Sequence, residues 1–202
     1  NGPVLRAIAQ LGFKQAMLGL KKDREIFFRV ASSLLADVKD ICGLAKQNEI
    51  SAILLPDDIA GNKGLYFSHN DFVATILPVY RQIANEIKRH GLFAFFHSDG
   101  DTRSIFKPLI EAGYDCIHPV DSQAGIDLYE LKNTHKNMIS FMGHIDIVTW
   151  DDKRITQEIA RAEESFREGG LILGSTCGLS MKTVSTKLSV LYPGWRTREN
   201  KI

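Results

Sequence analysis

The 202 residues are 44% hydrophobic and 24% charged, with 25 Lys and Arg set against 24 Asp and Glu. That balance belongs to one globular domain; it excludes a disordered or collagen-like chain, and a net charge of +1 offers no basic face to nucleic acid or an anionic membrane. Apolar runs such as Ala52–Leu55 and Leu92–Phe96 fall far short of the ~20 residues that span a bilayer, and three widely spaced cysteines (Cys42, Cys116, Cys177) make no disulfide framework, so the expected setting is reducing and cytoplasmic.

Apolar spacing predicts an opening helix over Val4–Leu20 and a stronger one over Asp23–Asn48, with Ile26, Val30, Leu34, Val38, Ile41 and Leu44 on one face and Asp23 as its cap. Ile50–Leu55 reads as a buried strand ending in Pro56-Asp57-Asp58. Ser68-His69-Asn70-Asp71 has the Ser-x-x-Asp capping pattern and precedes a helix carrying Phe72, Ile76, Val79, Ile83 and Ile87. Strands then alternate with helices: strand Leu92–Phe96, helix Thr102–Ala112, strand Asp115–His118, helix Ile126–His135, strand Met138–Met142, helix Lys153–Glu168, strand Leu171–Gly174 and helix Val184–Leu191. Repeated strand–helix units imply a parallel sheet.

The units recur at roughly 30 residues, and eight of them would make the ~250 residues of a closed (β/α)8 barrel. The expected fold is therefore α/β, of the TIM-barrel type, with five of the eight βα units in this chain. Residues 1–202 are expected to form a single domain, the C-terminal five-eighths of the barrel. On this reading the sequence begins partway through a larger protein. Further strands or a second copy of the chain, as a homodimer, would cover the open edges.

In either a barrel or an open parallel sheet, functional groups gather at the C-terminal ends of strands. Here those ends carry Asp57 and Asp58, then His97, Asp99 and Asp101, then His118 and Asp121, then His144 and Asp146, and finally Cys177. Asp101 and Asp121 have the character of caps or turn formers. His97-x-Asp99 places two potential ligands in one irregular loop, and Cys177 ends another strand that can converge on them. An imidazole, a carboxylate and a thiolate with an open fourth position suit catalytic zinc. The alternative is that His97 donates to a backbone carbonyl and Cys177 is a small buried residue, as Cys42 and Cys116 are expected to be.

The same strand ends carry a resemblance. Leu54-Leu55-Pro56-Asp57-Asp58-Ile59-Ala60, Gly64-Leu65-Tyr66-Phe67-Ser68 and Leu77-Pro78-Val79-Tyr80 resemble the uroporphyrinogen decarboxylase superfamily. So do Phe96-His97-Ser98-Asp99-Gly100, Leu109-Ile110-Glu111-Ala112-Gly113-Tyr114-Asp115, Gly143-His144-Ile145-Asp146 and Gly169-Gly170-Leu171-Ile172-Leu173-Gly174, in order and over nearly the whole chain. The resemblance implies a (β/α)8 barrel with its site in the C-terminal mouth. It also implies one of two chemistries. Decarboxylases of the superfamily remove acetate carboxyls from a tetrapyrrole without metal or cofactor. The related methyltransferases use zinc to activate a thiol that takes a methyl group from a corrinoid.

Decarboxylases resemble Lys-Asp-Gly at the second strand end and carry a histidine at the last, where this chain keeps Asp99-Gly100 but has Cys177. Methyltransferases resemble His-x-Cys at the second strand end and carry a cysteine at the last. His97 and Cys177 match that template, with Asp99 in place of the first cysteine. The resemblance thus favours a metal-assisted methyltransferase: His97, Asp99 and Cys177 as zinc ligands, and Asp57, Asp58 and Asp99 as catalytic or orienting carboxylates. Asp58, His118, His144 and Asp146 are the expected substrate contacts. A thiol substrate and a corrinoid on a partner protein follow from that reading. A cofactor-free tetrapyrrole decarboxylase is the second reading, and a non-catalytic barrel fragment that binds a partner subunit the third.

Overall fold

The computed structural model describes residues 1–135, 137–176, 187–188 and 190–192. Cys177 and half of the expected last helix, Val184–Leu191, lie outside them. The chain divides into two compact units, Asn1–His118 and Pro119–Ile202.

The first unit opens on three helices, α1 (Pro3–Leu11), α2 (Phe13–Lys22) and α3 (Arg24–Gln47). The single helix expected over Val4–Leu20 is two, because Gly12 takes φ 79° and ψ 155°, outside the helical region and open to glycine at little cost. Asp23 precedes α3 but does not cap it: its backbone, at φ −144° and ψ 77°, lacks the cap geometry, and its side chain accepts no hydrogen bond from the first turn. The α1 end is capped from far along the chain. Asp57 accepts from the Val4 and Leu5 amides at 3.0 and 2.6 Å, and the Gly2 amide donates to the Pro56 carbonyl.

Three parallel strands follow: β1 (Ala52–Pro56), β4 (Phe93–His97) and β5 (Cys116–His118), paired in the order β1-β4-β5. Between β1 and β4 the chain forms a short antiparallel hairpin, β2 (Ala60–Gly61) with β3 (Gly64–Leu65), which the sequence pattern did not signal. Then comes α4 (His69–Asp71), capped by Ser68 as expected, since the Ser68 hydroxyl accepts from the Asp71 amide at 3.1 Å. A π-helical turn (Phe72–Ile76) leads into α5 (Leu77–Arg89). Helix α6 (Phe106–Ala112) joins β4 to β5 and stops at Gly113 in the left-handed region.

The core of this unit is aromatic. Tyr80 of α5 lies 5.2 Å from Phe96 between ring centroids, and Tyr114 lies 5.7 Å from Phe96. Phe72 closes the cluster against Tyr80 at 6.0 Å. Each such contact adds about 0.5–1.5 kcal/mol beyond the burial itself.

In the second unit α7 (Leu128–His135) precedes β6 (Ser140–Ile145), and α8 (Asp152–Ser165) joins β6 to β7 (Leu171–Ser175). These strands are also parallel, in register from Phe141 with Leu171 to Ile145 with Ser175. Asp151 caps α8 by accepting from the Arg154 amide at 2.7 Å. Ile145, Ile147, Trp150, Ile155 and Leu191 form one cluster of this unit's core. No helix among the described residues is long and apolar enough to cross a membrane.

Candidate metal centre

Parallel register brings the ends of β1, β4 and β5 into line, with Pro56 beside His97 and His97 beside His118. Successive strand residues face opposite sides. Phe96 turns into the aromatic core, so His97 projects from the other face, and His118 stands next to it with ring centroids 4.8 Å apart. The same alternation separates the two aspartates after β1. Asp57 is fully buried and follows Leu55 inward, whereas Asp58 emerges beside His97.

Backbone hydrogen bonds stitch the loop after β4 to the loop after β1. The Asp57 amide donates to the His97 carbonyl at 2.9 Å, the Ile59 amide to the Ser98 hydroxyl at 3.0 Å, and the Asp101 amide to the Gly61 carbonyl at 2.9 Å. The Asp99 amide donates to Asp58 Oδ1 at 3.2 Å, which ties the two carboxylate-bearing loops directly. Gly100 makes the close approach feasible. Its φ is +85°, and a Cβ there would lie 2.7 Å from the Gly61 carbonyl oxygen.

These constraints place His97 Nε2 3.4 Å from Asp58 Oδ1 and 4.0 Å from Asp99 Oδ1. The ligand atoms of Asp58, His97 and Asp99 all lie within 4.8 Å of one another. Donors bound to one zinc at ~2.0–2.2 Å sit about 3.3–3.6 Å apart, so His97 and Asp58 already have that spacing while the Asp99 carboxylate would have to move closer. The two carboxylates are about half exposed and the imidazole mostly covered, at 42%, 43% and 17% of their side chains, so the cluster is open to an incoming group on its carboxylate side.

Of the ligands expected from the sequence, His97 and Asp99 are brought together and Cys177 lies outside the described residues. Asp58, expected as a catalytic or substrate contact, joins the ligand cluster. His118, expected to contact substrate, is hydrogen-bonded to His97, with 2.7 Å between the Nδ1 atoms. Asp57, expected to orient substrate or water, is turned away and engaged by the α1 amides and by the Tyr80 hydroxyl at 2.7 Å. Burial is the main cause that raises its pKa to about 6; the hydrogen bonds from Leu5, Tyr80 and Val4 oppose it, and Asp58 adds a little.

In the second unit His144 and Asp146 are both buried. His144 Nε2 meets Glu158 Oε1 at 2.9 Å, its ring and that of Trp150 lie edge to face with centroids 5.7 Å apart, and its backbone holds a φ of +85°, a strained conformation for a residue other than glycine. Glu158 also receives the Tyr129 hydroxyl, whose ring lies under the Arg161 guanidinium. Burial pushes the Glu158 carboxyl up, but Tyr129 and His144 outweigh it and hold the pKa below the usual value. Asp146 accepts from the Val148 and Thr149 amides at 3.0 Å, from the Thr149 hydroxyl, and from Gln123 at 3.0 Å, as the former of a turn. No strand-end signal marked Glu158, which sits mid-helix. Asp101 and Asp121 act as turn formers, as expected, through the Arg103 amide and the Gln123 and Ala124 amides. Cys42 and Cys116 are buried; burial, with Asp115 second, pushes the Cys116 thiol up to about 12, an inert thiol.

The family model described as uroporphyrinogen decarboxylase matches residues 9–193. Comparison with curated proteins gives no match. Among solved structures, a methyltransferase from Methanosarcina mazei is similar at a TM-score of 0.73 and 16% identity, over 96% of this chain and 57% of that one. At that identity the likeness concerns the fold. It assigns the βα units of both parts of the chain to the (β/α)8 class, and the chain spans 57% of the length of that relative.

Proposed function

The chain belongs to the uroporphyrinogen decarboxylase family, and from that premise we propose that it is a metal-assisted methyltransferase moving a methyl group between a corrinoid and a thiol. One observation carries this reading: the ligand atoms of Asp58, His97 and Asp99 gather within 4.8 Å at the C-terminal ends of adjacent parallel strands. The solved methyltransferase of the same fold supports it. His97 supplies the imidazole, Asp58 and Asp99 the carboxylates, and Cys177 the thiolate of the proposed set. Zinc, when bound there, lowers the pKa of a coordinated thiol so that its thiolate is the nucleophile. Two oxygen donors make the set harder than a thiolate-rich one, so manganese or cobalt should also be accepted. The half-exposed carboxylates leave the approach to the centre open to a thiol, and the corrinoid would be delivered by a partner protein.

The family description favours one alternative, tetrapyrrole decarboxylation, in which Asp58 and Asp99 accept hydrogen bonds from pyrrole N–H groups. Zinc titration separates the two. The methyltransferase reading expects near-stoichiometric zinc in the wild-type protein, lost in His97→Ala and in Cys177→Ala. A wild-type protein that takes up no zinc but decarboxylates uroporphyrinogen would overturn it.

A further inference from the structure

The Nδ1 atoms of His97 and His118, 2.7 Å apart, must share one proton: one nitrogen carries it and the other accepts. The rings meet edge to edge, with centroids 4.8 Å apart and planes inclined by 29°, as an in-plane N–H···N hydrogen bond requires. At the opposite end of its ring, His97 directs Nε2 toward Asp58 and Asp99. A nitrogen that ligates a metal presents a lone pair, so when Nε2 binds, the hydrogen of a neutral His97 sits on Nδ1. The atom waiting there is His118 Nδ1.

We propose that His118 is the positioning residue of the metal centre. Its Nδ1 accepts the His97 Nδ1–H, which fixes the tautomer that leaves Nε2 free to bind and holds the ring toward Asp58 and Asp99. His118 then carries its own hydrogen on Nε2. Carboxylates and backbone carbonyls commonly fill this role behind a metal-bound histidine. A neutral imidazole orients the ligand without adding negative charge to a cluster that already contains two carboxylates. The parallel register of β4 and β5 supplies the alignment, since His97 and His118 are direct partners in it. This inference rests on the metal-dependent reading above.

The test measures Zn²⁺ affinity by competition with a chromogenic chelator for the wild-type protein, His118→Ala and His118→Asn. Loss of a partner behind a ligand typically weakens binding 10–100-fold, and that is the expected loss in His118→Ala. His118→Asn, whose amide oxygen can stand where Nδ1 stood, should recover most of it. Nitrogen-15 imidazole spectra of the zinc-loaded wild-type protein should show His97 protonated at Nδ1 and His118 protonated at Nε2 only. Wild-type affinity in His118→Ala, or a proton on His118 Nδ1 in the zinc-loaded protein, overturns this proposal and leaves the metal site standing. If both variants lose zinc equally, the tautomer spectrum decides between positioning and simple packing. A wild-type protein that binds no zinc overturns the metal-dependent reading, and this proposal with it.

Discussion

Asp57 Oδ2 and the Tyr80 hydroxyl lie 2.7 Å apart inside the first unit, joining the end of β1 to α5 beneath the exposed cluster. Both groups are buried and both are pushed toward their protonated forms, Tyr80 well above its usual value and Asp57 to about 6, burial being the largest cause for each. The folded state therefore binds a proton at Asp57 more tightly than the unfolded chain, whose carboxyl keeps the ordinary value of 3.8. The stabilisation is fully present below the unfolded value and is lost as pH rises through about 6. Taking Asp57→Asn as reference, the wild-type protein should gain roughly 2–3 kcal/mol between pH 7 and pH 4. Urea unfolding of both proteins at the two pH values checks this. A constant difference would mean that Asp57 ionises normally.

Asp57 and Asp58 are chain neighbours that face opposite ways, and this gives a paired test. Asp58→Asn should weaken zinc binding by more than the roughly 10–100-fold typical of losing a partner behind a ligand. Asp57→Asn should leave zinc affinity near wild type and lower the unfolding midpoint instead. Isothermal titration with zinc and thermal unfolding of both variants separate the effects. The reverse pattern would exchange the two assignments.

Gly100→Ala should destabilise the first unit by about 1–3 kcal/mol, because a Cβ at positive φ would also press on the Gly61 carbonyl. The same change should weaken zinc binding, since Asp99 is carried by the loop that Gly100 seats. Denaturant unfolding and metal titration check the two parts.

Tyr129→Phe removes the first of the hydrogen bonds that hold the Glu158 carboxyl below its usual value. The Glu158 midpoint should rise toward 4.5, and the second unit should lose about 1 kcal/mol. For a depressed carboxyl the stabilisation is present above the unfolded value and is lost as pH falls through the folded one, so the variant should have less of it to lose and should finish losing it at higher pH. Carbon-13 titration of the Glu158 carboxyl measures the shift, and an unmoved midpoint would assign the low value to His144 and Arg161.

The parallel strands were legible because short apolar runs rich in Ile and aromatic residues stand between polar turn residues; β1, β4, β5 and β7 lie within two residues of their expected bounds, β6 ends three residues later than expected, and the β2–β3 hairpin was not signalled. Their parallel pairing followed from the intervening helices. Gly12 was legible in principle but lay inside an apolar periodicity that continued on both sides of it. Asp23 shows the limit of residue type: an aspartate before a helix caps only when its backbone aims it. For Asp57 and Asp58 the signal is present in the sequence, since extending the alternation of β1 past Leu55 sends the first inward and the second out. The pairing of His97 with His118 had no such signal, because register between strands separated by a helix depends on loop geometry. Glu158 was equally hidden, as its role comes from what α8 packs against.

The hydrogen bond from the Asp99 amide to Asp58 spans 41 residues of sequence. Folding alone therefore brings the two carboxylates together, and an arriving cation need not close that long loop. The entropy of loop closure, which grows slowly with length and would otherwise subtract from affinity, is already met by the strand pairing. The centre should then bind as a preorganised chelate in one kinetic phase. Its affinity should track the integrity of β1 and β4 more closely than the conformational freedom of the individual ligands.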